Sequence, residues 1–315
     1  MDVSIIVPLY NEEENILLGY DELATVLNQN FNNRFEIIYV DDGSTDKTWD
    51  LLSKLVESNN MVQALKLRKN FGQSSAIAAG LSISTGEVVV LIDGDLQNDP
   101  RDIPILVEKL AKEKLDIVSG WRQKRKDNLI SVIFPSKIAN YLISMITGVR
   151  LRDYGCTLKA YRGELIRGLP LYGELHRFLP AIASSMGATV LELPVNHRSR
   201  RFGKSKYGLG KFYKVVLDLI KTQFFLRYYE SPLYFFGKIG FWVSFPGFLV
   251  GGYYSFQNLV IGTSIGHKLP SLIFSGFAVL AGLLIIVVGL IAELIVHIEY
   301  KRNPTSSYKI KSRLP

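Results

Sequence analysis

The chain has 315 residues, enough for one large domain or two smaller ones, either able to bury a core. Its hydrophobic content of 48% is high for a purely soluble protein, and most of the excess lies after residue 230. The net charge of +8 suits phosphate-bearing substrates or anionic lipid, whereas the lack of a basic stripe interleaved with stacking aromatics argues against nucleic acid. The lone Cys156 excludes an internal disulfide, and a cysteine-based metal site would need more ligands. Reduced, cytosol-facing chemistry fits this usage. The opening MDVSIIVPLYNEEENI lacks the charged and apolar regions of a secretory signal and reads as a buried strand followed by a helix start.

Short apolar runs rich in β-branched residues alternate with helical patterns through the first half. Strands are predicted at 3–9, 35–40, 62–67, 87–92 and 115–120, and helices near 12–29, 46–58, 72–84 and 102–112. Continuously apolar strands separated by helices predict an α/β fold, with a mostly parallel sheet covered on both faces. Ligands of such sheets bind beyond the carboxyl ends of the strands. Three of these ends are polar: Tyr10-Asn11-Glu12, Asp41-Asp42-Gly43-Ser44 and Asp93-Gly94-Asp95. All three fall on one edge of any parallel sheet.

Each cluster has a plain structural explanation beside a functional one. At the first, Pro8 ends a strand and Glu12 to Glu14 open a helix near its positive end, which accounts for almost everything there. At the second, Ser44 or Thr45 caps the following helix, but two adjacent carboxylates are left over. A carboxylate there could accept a hydrogen bond from a nucleotide base. At the third, Asp-Gly is a common turn dipeptide. Gly94 also lets the backbone bend and a ligand approach. Asp95 could then offer hard oxygen to magnesium or manganese bridging phosphates, with Asp93 serving a ribose or the metal's surroundings.

Two later segments differ. Residues 131–148 are apolar over most of their surface, and 208–225 place Lys211, Lys214, Asp218 and Lys221 opposite Leu209, Phe212, Val216 and Leu219. The second pattern fits a helix lying in a membrane interface as well as an ordinary packed helix. Residues 239–266 and 269–292 carry no Asp, Glu, Lys or Arg, and each exceeds the ~20 residues that cross a hydrocarbon core. Lys and Arg flank the pair at both ends while the loop holds only Lys268, so the positive-inside rule predicts that both termini are cytoplasmic. Glu293 and His297 are expected at the interface, where the second span ends.

The stretches PLYNEEENI, VDDGSTDKT, LRKNFGQSSAIAAGL, DGDLQNDP and HRSRRFGKSKY occur in this order. Together they resemble inverting family 2 glycosyltransferases, specifically the polyprenyl-phosphate branch that includes dolichyl-phosphate mannosyltransferases and bactoprenol glucosyltransferases. The likeness covers about residues 3–208, and the paired apolar spans match the bacterial members. It implies a Rossmann-like GT-A domain over 1–205, a juxtamembrane helix over 206–232, two spans over 233–299 and a basic tail over 300–315. It further implies an integral protein of the bacterial cytoplasmic membrane with a cytoplasmic catalytic domain. The implied reaction moves a hexose, with inversion, from a nucleotide-diphosphate sugar to undecaprenyl or dolichyl phosphate. UDP-glucose is the favoured donor, with GDP-mannose or another UDP-sugar as alternatives, and Mg2+ or Mn2+ is the implied cofactor. A homo-oligomer is compatible with this.

Carried over by motif, the resemblance implies that Pro8, Tyr10, Glu12, Asp41, Asp42 and Arg68 serve the nucleotide, together with Asp93. Asp93, Asp95 and Gln97 become the catalytic carboxylates and amide, with Asp95 on the metal. Arg122, Lys137, Asp153, Arg201, Ser205 and Lys206 fall on the acceptor and phosphate side. Two departures stand out: Asn98 separates Gln97 from Asp99, and Ser136-Lys137 lacks the family's matching Arg, for which Lys124, Arg125, Lys126 or Lys137 could substitute. A non-catalytic, membrane-anchored nucleotide-sugar-binding protein would keep the same residues without turnover. A processive polysaccharide synthase would need a Gln-x-x-Arg-Trp motif and further spans, and a dinucleotide enzyme would need Gly-x-Gly-x-x-Gly after the first strand; none is present.

Overall fold

The computed structural model describes residues 2–123, 148–169, 175–199, 231–262 and 266–302, with Ser144, Leu171, Gly173, Phe224 and Tyr228. Lys124, Arg125, Lys126, Lys137, Arg201, Ser205 and Lys206 lie outside these residues, as do nearly all of the predicted helices at 131–148 and 208–225. The chain divides into two units, Met1–Leu219 and Ile220–Pro315.

In the first unit the β-branched runs pair as a seven-stranded sheet of order β3-β2-β1-β4-β6-β5-β7. β1 (Val3–Leu9), β2 (Phe35–Asp41), β3 (Val62–Lys66) and β4 (Val88–Leu91) are parallel. β6 (Lys159–Arg162) runs antiparallel to both β4 and β5 (Ile117–Arg122), while β7 (Val190–Val195) is parallel to β5. Two reversals restore direction. The carboxyl ends of β1, β2, β4, β5 and β7 and the amino end of β6 therefore share one edge. β6 and β7 escape the sequence reading because KAYR is four residues opened by a lysine and VLELPV is broken by Glu192 and Pro194.

Helices cover both faces. Alternate residues Val3, Ile5, Val7 and Leu9 of β1 face a core shared with Leu23 and Leu27 of α1 (Ile16–Phe31), Leu52 of α2 (Thr48–Ser58), and Ile103 and Leu106 of α4 (Ile103–Lys112). The opposite face packs on α3 (Gln73–Ile83), whose Ala76 and Ile77 are fully buried. Short α5 (Gly163–Arg167) and α6 (Leu179–Ser185) follow β6.

Two local expectations change. α1 begins at Ile16, because residues 12–15 form a turn closed by Asn15 N donating to Glu12 O at 2.9 Å, so the glutamates precede the helix. Ser44 and Thr45 do not cap α2. Ser44 Oγ accepts from Asn11 N at 2.8 Å and Thr45 N donates to Asn11 Oδ1 at 2.8 Å, tying the β1 and β2 loops together around an Asn11 held at φ 54°.

The second unit is an antiparallel pair, α7 (Pro232–Ile261) and α8 (Leu269–Arg302), both long and apolar enough to cross a membrane. Leu259 and Phe274 stay 83% and 77% exposed, as side chains meant for lipid rather than for a protein core would be. The helices approach closely where side chains are absent: a Cβ on Gly282 would fall 2.4 Å from Gly240 O, and one on Gly240 would fall 2.5 Å from Gly282 O. Glu293 Oε2 accepts from Leu233 N at 3.1 Å, satisfying one free donor in the first turn of α7. Gly282→Leu is expected to separate the pair and cost about 2 kcal/mol, as overpacking does. Thermal unfolding in detergent checks it, with Gly276→Leu, whose Cβ meets open space, as the silent control.

Candidate active site

β4 ends at Leu91 and the chain turns sharply through Asp93-Gly94-Asp95. The turn packs closely at Gly94, where a Cβ would lie 2.1 Å from Leu9 Cδ2 and that buried side chain would have to shift. Leu96, at φ 60°, completes the reversal. Asp93 is held at both oxygens: Oδ1 accepts from Gln73 Nε2 and Oδ2 from Thr157 Oγ1, each at 2.7 Å. Burial, then the charge of neighbouring Asp95, pushes the Asp93 carboxyl above the ordinary range, against the pull of Thr157 and Arg122. Asp95 Oδ1 accepts from Gln97 N at 3.1 Å.

On the β2 side the two adjacent carboxylates do different things. Asp42 accepts from Phe71 N at 2.8 Å and Gly72 N at 2.9 Å, which binds the end of β2 to the loop that opens α3. Asp41 Oδ1 accepts from Ser44 N at 2.9 Å, while its buried Oδ2 has no partner among the described residues. Pro8 stands inside β1 opposite Val40, one residue before the strand ends at Leu9. Tyr10 follows, half-buried, and Glu12 N donates to Thr48 Oγ1 at 3.0 Å. Arg68 is exposed between β3 and α3. Pro8, Tyr10, Glu12, Asp41, Asp42 and Arg68 thus all lie on or next to the carboxyl edge that carries Asp93.

Beyond β6 the edge carries paired charges. Arg122, at the end of β5, pairs through two nitrogens with Asp153: Nε to Oδ2 at 2.7 Å and Nη2 to Oδ1 at 2.9 Å, with side chains 15% and 3% exposed. Burial works against the guanidinium charge, but the Asp153 carboxylate outweighs it and keeps the group firmly protonated. Glu192 of β7 accepts from Arg152 N at 2.8 Å and Asp153 N at 3.0 Å, and the Arg152 guanidinium lies 4.3 Å over the Trp121 ring. Past β7, Arg198 is ion-paired to Glu22 at 2.5 Å and Asp99 at 2.9 Å, and its backbone N donates to Gln97 O at 2.8 Å. The start of the basic run is thereby fastened to the Gln97-Asn98-Asp99 loop.

Residues 4–168 match the model of Glycosyl transferase family 2. The chain belongs to this family. It is 38% identical over 314 residues to the dodecaprenyl-phosphate galacturonate synthase of Rhizobium johnstonii, covering 99% of this chain and 92% of that protein. It is 35% identical over 294 residues to the undecaprenyl-phosphate 4-deoxy-4-formamido-L-arabinose transferase of Pseudomonas syringae, covering 92% and 84%. Its fold is also that of the Mycobacterium tuberculosis glucosyl-3-phosphoglycerate synthase crystallised with Mn2+, UDP and phosphoglyceric acid: TM-score 0.56 at 19% identity, covering 70% of this chain and 78% of that one. The resemblance drawn from the five motifs therefore holds, for the GT-A fold and for the polyprenyl-phosphate glycosyltransferase branch.

In this family 2 glycosyltransferase a divalent cation fits Asp93 and Asp95 by donor chemistry. They offer hard carboxylate oxygens, and Mg2+ and Mn2+ complete their shells readily from phosphate and water. No group of three or more His, Cys, Asp and Glu gathers among the described residues, so diphosphate oxygens would supply much of the rest. Three side chains of the site escape the sequence reading. Gln73 sits within a motif recognised as a whole, yet nothing local ties it to Asp93. Thr157 and buried Lys159 sit in the stretch DYGCTLKAYR, which matches an acceptor-side motif through Asp153, yet nothing local gives either of them a role. Deeper still, His176 Nδ1 lies 2.8 Å from Ser74 Oγ, and burial pushes the imidazole down to about 3, so it is neutral there.

Proposed function

We propose that this glycosyltransferase moves a sugar from a nucleotide-diphosphate donor onto the phosphate of a membrane polyprenyl lipid, with inversion. The observation that carries the reading is a single sheet edge bearing the Asp93-Gly94-Asp95 turn at one strand end and the Arg122–Asp153 pair at another. The names of the relatives, two polyprenyl-phosphate sugar transferases aligned over nearly the whole chain, support the lipid acceptor. The two apolar helices support membrane association. Charge supports an orientation with both ends of the hairpin cytoplasmic.

A lipid monophosphate explains why no general base is needed. Its second ionisation lies near ~6, so at neutral pH the attacking oxygen is already anionic. The chemical demand shifts to the leaving nucleotide. Asp95, with Asp93, would hold Mg2+ or Mn2+, which supplies neutralisation of charge growing on the diphosphate. Tyr10, Asp41 and Arg68 flank that centre from the β1, β2 and β3 ends and are assigned to the nucleotide. Arg122 is assigned to the acceptor side by motif, where its guanidinium, oriented by Asp153, would offer its remaining N–H groups to the acceptor phosphate. Lys137, Arg201, Ser205 and Lys206 are assigned there by motif.

For the sugar, the relative aligned over 99% of the chain is named for galacturonate, which puts a UDP-uronate first and UDP-glucose, favoured by the motif resemblance, second. The test is full-length protein in lipid nanodiscs with Mg2+, undecaprenyl phosphate and radiolabelled UDP-galacturonate, UDP-glucose, a UDP-4-amino-4-deoxy-L-arabinose derivative or GDP-mannose. Label should partition into lipid from one donor. If no donor labels the lipid, the reading is wrong; steady donor binding without transfer would instead favour a nucleotide-sugar-binding protein.

A further inference from the structure

Lys159 is 3% exposed, an unusual place for an ammonium group. It opens β6 between Leu91 of β4 and Ser119 of β5. Its Nζ donates to two backbone carbonyls of the turn just before it, Tyr154 O at 3.3 Å and Cys156 O. That short turn makes three contacts with the site. Asp153 holds the Arg122 guanidinium through two hydrogen bonds and the Arg122 backbone N through a third, Gly155 lies so close that a Cβ would come within 3.2 Å of Arg122 Nη2, and Thr157 Oγ1 donates to Asp93 Oδ2 at 2.7 Å. Burying an ammonium without a bonded carboxylate is costly, and an apolar side chain of similar length would fill the space more cheaply. What the amine adds is direction: it pins two carbonyls, and so the path of the turn between them.

We infer that Lys159 is a positioning residue, whose amine locks the 153–157 turn so that Thr157 sets the Asp93 carboxylate and Asp153 sets the Arg122 guanidinium in one fixed relation. The donor end and the acceptor end of the edge are thereby held by one internal brace. Buried at 3% exposure and bonded to backbone carbonyls, Lys159 acts through Thr157 and Asp153. The inference rests on the reading of Asp93 and Arg122 as donor-side and acceptor-side groups, but its structural half does not.

The experiment compares full-length Lys159→Met, Thr157→Val, Thr157→Ser and the Lys159→Met/Thr157→Val double variant in nanodiscs. Amide hydrogen exchange tests the brace without any reaction. Lys159→Met should raise exchange at residues 154–158 at least ~10-fold while β1 and β2 keep their protection, since local opening follows local contacts. Unchanged exchange there overturns the inference whether or not a donor has been found. With the productive donor, Lys159→Met and Thr157→Val should each lower kcat ~30-fold or more with donor KM within ~3-fold, because small misplacements act on the reacting geometry. Thr157→Ser, which keeps the hydroxyl, should retain most of the rate. The double variant should be no worse than the worse single one, as expected for residues acting in series. Additive losses, or wild-type kcat in Thr157→Val, count against the brace. Should Lys159→Met fail to fold, the Thr157 pair still decides. A wild-type protein that labels no lipid while losing exchange protection as predicted in Lys159→Met sinks the proposed reaction and leaves the brace standing.

Discussion

Asp95→Ala is expected to lower transfer by ~10³-fold or more while leaving the unfolding temperature nearly unchanged. The side chain is half-buried at the open edge, outside the apolar core, and its Oδ1 accepts from Gln97 N, a local contact two residues away. Removing a surface-side carboxylate of this kind shifts stability by about 0.5 kcal/mol or less. The activity loss comes from another source. A leaving diphosphate gains charge as the glycosidic bond breaks, and about 1.4 kcal/mol of lost stabilisation costs a factor of ten in rate. Asp95→Asn keeps the shape and removes the charge, so it should fall close to Asp95→Ala. Asp93→Asn should cost stability as well, because both Asp93 oxygens are acceptors and the amide would turn a donor toward Gln73 or Thr157. Labelled-lipid kinetics alongside thermal unfolding separates the two aspartates. Full activity in Asp95→Ala would remove the metal role assigned to it.

Asp153→Ala is expected to destabilise the first unit by about 3 kcal/mol and to inactivate it. The Arg122–Asp153 pair is nearly enclosed, and removing one partner leaves a buried, permanently charged guanidinium with no counter-ion. Adding Arg122→Leu should restore part of the lost stability, since it removes the orphaned ion at the cost of a smaller cavity penalty, but it should restore no activity. Urea unfolding of the two single variants and the double variant measures the coupling, expected above ~1.5 kcal/mol. Arg122→Lys keeps the charge and loses the two-pronged geometry, so it should fall between. If both single variants unfold like the wild type, the pair is not part of the folded core. If the double variant regains turnover, Arg122 has no part in holding the acceptor.

Much of this protein is written locally. The parallel strands, the helices between them and the two apolar helices follow from runs of β-branched residues, from 3.6-residue patterns and from charge-free stretches longer than a bilayer is thick. Such burial signals need no knowledge of distant residues, and they also place the three polar strand ends on one edge. Roles read from composition fared less well where a side chain has a distant partner. Ser44 looks like a helix cap but accepts from Asn11, 33 residues away. Nothing local shows that both Asp42 oxygens also take amides 29 and 30 residues on. The antiparallel insertion of β6 between β4 and β5 was invisible, because four residues opened by a lysine carry no strand signal. That insertion is what sets the DYGCT turn between Asp93 and Arg122. Sequence alone thus determined the family, the layered α/β architecture, the apolar hairpin and the carboxylates at the edge, because hydrophobic burial and motif order are properties of neighbouring residues. Tertiary structure alone decided which groups hold those carboxylates and where the opposing cation stands, because hydrogen bonds and ion pairs form only after chain reversals bring far-apart residues within 3 Å.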